Sequence, residues 1–155
     1  MRRLYVFVLG LLLASGALQF YFAAVGAFTR PQTDDSYSLH LINGRMAFPL
    51  LALLAIGAAA LAKAPGRLIG LTSLPLALVV VQTLIILLGN AIGGATDQRT
   101  TPLALAILGL HAINGMAIMG VTGIVMRRAR ALLPAPNSVR AAATGLDARS
   151  AGSAT

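Results

Sequence analysis

The 155-residue sequence contains no cysteine, no tryptophan and no glutamate, and its only lysine is Lys63. The lack of cysteine excludes disulfides, thiolate metal sites and thiol catalysis. No pair of carboxylates falls within an apolar run, which argues against a proton pump built on a carboxylate relay. Charged residues make up only 10% of the chain and hydrophobic residues 57%, so too few polar side chains exist to cover a water-soluble globule. The composition therefore predicts an integral membrane protein that contacts the lipid bilayer.

Four apolar runs are long enough to cross the hydrocarbon core, which takes about 20 residues. They cover residues 4–28, 41–62, 68–92 and 103–126. The first run begins like a signal peptide, but it continues to Phe28 and so has the length of an uncleaved spanning helix. Arg45 interrupts the second run, and Pro49 is expected to kink it. We predict an all-α, four-helix integral membrane bundle over residues 1–133.

The net charge of +8 indicates how the helices are oriented in the membrane, because the basic residues flank the apolar runs. Seven of them fall on one side: Arg2, Arg3, Lys63, Arg67, Arg127, Arg128 and Arg130. This bias predicts that both termini are cytoplasmic, and it gives no reason to expect nucleic acid as a partner. Abundant alanine and arginine suggest a GC-rich bacterial genome, hence the bacterial cytoplasmic membrane. Residues 134–155 are predicted to form a disordered cytoplasmic tail.

An internal repeat organises the chain. Its only two histidines are each followed at the third and fourth positions by Asn and Gly, as His40-Asn43-Gly44 and His111-Asn114-Gly115. Each preceding run contains a glutamine with a glycine seven residues later, as Gln19-Gly26 and Gln82-Gly89. The chain is therefore predicted to consist of two similar helical hairpins, related by a pseudo-twofold axis along the membrane normal.

The repeat predicts a site at the two histidines. The symmetry would place His40 and His111 opposite one another toward the outer leaflet, where two neutral imidazoles are suitable axial ligands for haem b. Gly44 and Gly115 would admit a flat macrocycle beside them. The polar residues of the repeat would fix the imidazole tautomers or bind propionates or a quinone headgroup: Gln19, Gln82, Asn43 and Asn114.

Relative depth is the difficulty for this hypothesis. At about 1.5 Å per residue, His40 lies roughly 34 Å from Lys63, whereas His111 lies only roughly 24 Å from Arg127. Equal depth therefore requires the fourth helix to continue past the arginines to about Leu133, or the second helix to extend below the membrane.

Two other functions are compatible with the same residues. The histidines and asparagines could simply hydrogen-bond between helices, as in a non-catalytic accessory subunit of a larger membrane complex. Four helices could also enclose an apolar pocket for a lipid, a quinone or another small molecule. The residues alone do not say whether a reaction is catalysed.

Three groups of residues carry a resemblance over roughly residues 1 to 131: Gln19 before Gly26-Ala-Phe28, His40 with Asn43-Gly44, and His111 with Asn114-Gly115-Met116. In these the chain resembles a family of short actinobacterial four-helix membrane proteins of unknown function, which implies a fold and little else. It is faintly similar to half of a haem A synthase, and that likeness implies axial positions at His40 and His111. In haem A synthases, an arginine typically follows the histidine and a glutamate lies on the outer side. Here Leu41 and Ala112 follow the histidines, and the sequence contains no glutamate. The resemblance thus implies haem binding or electron transfer rather than oxygenation. Separately, we expect a membrane redox complex or a second copy of the chain as partner.

Overall fold

The computed structural model describes residues 1–94 and 99–134, without the side chain of Asp34. Helix α1 covers Arg2–Phe28, and after a short 3-10 turn at Asp34–Tyr37 the second span comprises α2 (Ser38–Ile42), a π-helical turn (Asn43–Ala47) and α3 (Phe48–Leu61). Helices α4 (Gly66–Ile92) and α5 (Pro102–Arg130) complete the chain. The predicted all-α four-helix bundle is confirmed.

All four helical segments have the length and apolar composition needed to cross a membrane. Each contains at least 27 residues, or about 40 Å of helix, which exceeds a hydrocarbon core of about 30 Å. The chain is therefore a multi-pass membrane protein. The cytoplasmic placement of both termini stays a prediction. The predicted tail lies, except for Pro134, outside the described residues.

The π-helical turn in the second span lies immediately before Pro49. Proline has no backbone N–H, so it cannot donate to the carbonyl of Arg45 four residues earlier. Instead, the Phe48 N–H donates to the carbonyl of Asn43, five residues earlier. The expected proline distortion is thus present as one widened turn. Pro75, buried within α4, is a second intrahelical proline that the sequence analysis did not single out.

The helices pack in the cyclic order α1, α3, α4, α5 and back to α1. The buried face of α3 consists mainly of alanines, namely Ala52, Ala55, Ala58 and Ala59. Small side chains let helix backbones approach closely in a membrane, where dispersion replaces hydrophobic burial as the main packing force. In the same half of the bundle, the buried Tyr5 hydroxyl hydrogen-bonds with Thr72 Oγ1 at 2.6 Å. This end of the bundle is closed, which leaves the end near the histidines for a cavity.

Candidate functional site

An amide clamp joins the two helices of the first hairpin. Gln19 Nε2 on α1 donates to the backbone carbonyl of His40 at 3.0 Å. Asn43 Nδ2 donates to Gln19 Oε1 at 2.7 Å and to the backbone carbonyl of Ser15 at 2.9 Å. Ser15 lies one turn before Gln19, so both amides are satisfied along a single edge of α1.

The second hairpin has the same clamp. Gln82 Nε2 on α4 donates to the backbone carbonyl of His111 at 2.9 Å. Asn114 Nδ2 donates to Gln82 Oε1 and, at 2.9 Å, to the carbonyl of Leu78, which again lies four residues before the glutamine. The sequence repeat therefore corresponds to three hydrogen bonds that have equivalent donors and acceptors in the two hairpins.

The glycines of the repeat also have matching neighbours. A Cβ atom on Gly26 would lie 2.5 Å from the ring of Tyr37, and one on Gly89 would lie 2.7 Å from Leu108. Tyr37 and Leu108 each precede their histidine by three residues. The lack of a side chain at these glycines thus leaves room for the residue three positions before each histidine. The two helices of each hairpin can therefore approach equally closely in both halves.

The two copies differ in how they hold the imidazole. His40 Nδ1 lies 3.0 Å from the Gln19 backbone carbonyl, which can only accept, so Nδ1 carries the proton. His40 Nε2 is then the unprotonated nitrogen and accepts a 3.2 Å hydrogen bond from Gln19 Nε2. The ring of His111 makes no hydrogen bond with any residue that the structure describes, although its Nδ1 is buried.

The two imidazoles lie side by side. Their ring centres are 6.0 Å apart and the ring planes are inclined by 49°. An imidazole nitrogen binds a first-row metal at about 2 Å and lies about 1 Å from its ring centre, so two ligands on opposite sides of one ion have centres about 6 Å apart. The distance between the ring centres is therefore similar to that of two imidazoles that share one metal ion, while both ring nitrogens of His40 contact Gln19 in this structure. Helix α5 continues through Arg127 and Arg128 but ends at Arg130, three residues short of Leu133.

Both rings line a cavity of about 660 Å³ among the four spans. This volume is within the range of about 300–1,000 Å³ that is usual for cofactor and ligand sites. Most of the wall is apolar, with Phe20, Phe48, Val79, Ile86, Leu87 and Ile118 among its members. Such a wall suits a largely apolar ligand.

The residues predicted from the sequence divide into two groups. The glutamines, histidines and motif glycines line the cavity: Gln19, Gln82, His40, His111, Gly44 and Gly115. Asn43 and Asn114 are not among the lining residues, because their amides are turned toward α1 and α4. In this structure the asparagine side chains therefore join neighbouring helices, and their contact with a bound molecule stays a prediction.

Other lining residues were not predicted as site residues. Arg45, Tyr37 and Asn90 add polar groups to the wall, and the Tyr37 ring meets His40 edge-on at 6.4 Å between centres. Arg45 was noted only as an interruption of an apolar run, although an arginine inside a span is itself a signal of function. Within the described ranges, 1–94 and 99–134, no three residues of the His, Cys, Asp and Glu types come together to hold a metal ion.

Gly44 gives a test of the first clamp. A Cβ atom there would lie 2.6 Å from Gln19 Nε2, whereas one on Gly115 would lie 3.4 Å from Phe20, an ordinary contact. Gly44→Ala should therefore displace the Gln19 amide and destabilise the bundle by about 1–3 kcal/mol relative to Gly115→Ala. Both positions are helical, Gly44 in the π-helical turn and Gly115 within α5, so Gly115→Ala serves as the control for loss of a glycine at the same place in the repeat. Thermal unfolding in detergent measures the difference, and equal midpoints would contradict the assignment.

The fold and the site define a small multi-pass membrane protein made of two clamped helical hairpins around an apolar cavity with two imidazoles. Residues 19–91 match the model of a family of unknown function, DUF6220. The match contains Gln19, His40 and Asn43 of the first clamp as well as Gln82, and it ends before α5. It fits the expected likeness to an uncharacterised family and carries no sign of actinobacterial origin or of haem A synthases. No curated protein and no solved structure matches the chain.

Proposed function

We propose that this chain is a membrane haem b protein in which His40 and His111 are the axial ligands. The observation that carries the proposal is the pair of imidazoles, 6.0 Å apart on the wall of one apolar cavity. When bound, haem supplies reversible one-electron chemistry. We further propose that it exchanges electrons between membrane quinone and a partner near the outer face.

The donor set fits this group. His40 donates its Nδ1 proton to a backbone carbonyl, which is the usual arrangement of a metal-binding histidine because it leaves the Nε2 lone pair for the metal. Gln19 keeps its hydrogen bond to the His40 carbonyl when it gives up the longer one to Nε2. The apolar wall would hold the macrocycle and keep water away from both ligands.

The structural alternative accounts for the His40 ring, which forms two hydrogen bonds with Gln19, but it leaves the His111 ring unexplained. Each amide clamp uses only the backbone carbonyl of the histidine, which any residue at position 40 or 111 would supply. The His111 ring makes no hydrogen bond in the part of the chain that the structure describes. An accessory subunit held by helix contacts alone would therefore need the clamps and not this side chain.

An optical spectrum tests the proposal. The chain, purified in mild detergent from haem-sufficient cells, should show a Soret band with the sharp reduced α band of a six-coordinate haem b. The double variant His40→Ala/His111→Ala should lose both, because no other imidazole exists in the chain. Met116→Leu is the matched control, since Met116 is 59% exposed on the outside of the bundle, and its spectrum should equal that of the wild type.

A colourless wild-type protein after haem supplementation would overturn the proposal. The apolar cavity then favours the second candidate function, the binding of a quinone or lipid without haem. That function predicts a stoichiometric apolar ligand in mass spectra of the purified protein, without a Soret band. If the purified protein contains neither haem nor an apolar ligand, the remaining hypothesis is the non-catalytic accessory subunit.

A further inference from the structure

Arg45 is a charged residue within a membrane-spanning segment. It lies in the π-helical turn, five residues and about 7 Å along the helix from His40. A charged side chain at the centre of a span costs about 2.5–3.5 kcal/mol even on insertion scales, so such residues usually face a cavity and serve a function. Arg45 lines the cavity and is exposed.

No protein carboxylate accounts for this arginine among the described side chains. Asp35 is the one acidic residue whose side chain the structure describes, and it forms no ion pair with Arg45. The rest of the cavity wall is apolar or carries amides, hydroxyls and the two imidazoles. Arg45 therefore lines the cavity without a described carboxylate as its partner.

Beside Arg45, the outer part of the second span and α4 are not packed against each other. Helix α3 packs on α4, whereas α2 and the π-helical turn pack on α1 and make no helix contact with α4. Leu41 and Arg45 line one side of this gap, and α4 supplies Thr83, Ile86 and Leu87 on the other. An amphiphile that enters from the bilayer would thus pass a cation on its way to the histidines.

We propose that Arg45 binds the propionate carboxylates of the haem, an inference that rests on the proposed haem function. The guanidinium is always charged and offers a planar fork of donors that matches a carboxylate. Such charge-assisted hydrogen bonds are stronger than neutral ones, and more so where water is excluded. Arg45 thereby selects an acidic macrocycle and orients it in the cavity, while His40 and His111 bind the metal.

A comparison of haem b with its dimethyl ester tests this role, because the ester keeps the macrocycle and iron but has no carboxylate. Titration of the purified, haem-free chain, followed by the Soret band, should give about 10- to 100-fold tighter binding of haem b than of the ester. Arg45→Gln should remove this preference, mainly by weakening haem b. Arg45→Lys should keep part of it, because the charge remains while the fork is lost.

The controls separate the two proposals. Arg67→Gln, an exposed arginine at the opposite end of the bundle, should retain the full preference, and helicity measured by circular dichroism should be equal in all variants. Equal binding of haem b and ester by the wild type, with a normal Soret band, would overturn the role of Arg45 and leave the haem function standing. Uptake of neither compound would overturn both.

Discussion

The His111→Ala variant is expected to retain haem but to change it from six-coordinate to five-coordinate. His40 donates from Nδ1 to the Gln19 backbone carbonyl, and this bond remains when Nε2 binds iron, so the position of the ring does not depend on the second ligand. Removal of the His111 ring costs no protein hydrogen bond in the described part of the chain. We therefore expect normal folding and a high-spin haem on His40 alone.

The reciprocal variant, His40→Ala, should bind haem less tightly than His111→Ala. It removes the ligand that the protein already orients, and groups that orient a ligand typically contribute about 10- to 100-fold in affinity. The ratio of the two dissociation constants should fall in this range, with His40→Ala the weaker. Haem titration measures the affinities, and electron paramagnetic resonance reports the spin state.

Imidazole added to the buffer provides the control. It should restore the six-coordinate spectrum in His111→Ala, because alanine leaves space for a free imidazole in the cavity. The same addition should not change the wild type, whose coordination positions are filled. A His111→Ala spectrum identical to that of the wild type would show that a different residue binds the iron and would contradict the paired ligation.

The membrane fold could be predicted from the sequence because it depends on composition and run length. Four apolar runs of about 20 residues leave few alternatives, and the helices found differ from the predicted spans by no more than a few residues at each end. α2, for example, begins at Ser38 rather than Leu41 because the 3-10 turn before it leads directly into the helix. The duplication could also be predicted from the sequence, because its detection requires only that the residue spacings match in the two halves.

The roles of the individual polar residues were harder to predict. Spacing places Gln19 and Asn43 near His40, but it does not say whether their amides face the cavity or the neighbouring helix. That choice depends on the close approach at Gly44, which brings the Gln19 amide against the helix carrying His40. Arg45 was missed for a similar reason, because its place on the cavity wall depends on how the helix turns near Pro49.

The two clamps are equally buried but not equally bonded, and this difference predicts the largest effect on stability. Asn43 and Asn114 are 8% and 9% exposed. In the first clamp, Ser15 Oγ also donates to Asn43 Oδ1 at 2.8 Å, whereas the corresponding residue in the second is Leu78, which has no donor. Asn43→Leu therefore breaks three interhelical hydrogen bonds, and Asn114→Leu breaks two.

Interhelical hydrogen bonds in membrane proteins contribute about 0.6 kcal/mol each on average. Asn43→Leu should thus lower the free energy of unfolding by about 2 kcal/mol and Asn114→Leu by about 1 kcal/mol. Unfolding in mixed detergent micelles measures both values. Ser15→Ala should destabilise the wild type but have no further effect in the Asn43→Leu background, because the bond it removes is already absent. Additive effects of these two substitutions would mean that Ser15 stabilises the bundle through some contact other than Asn43, and the two clamps would then be equivalent.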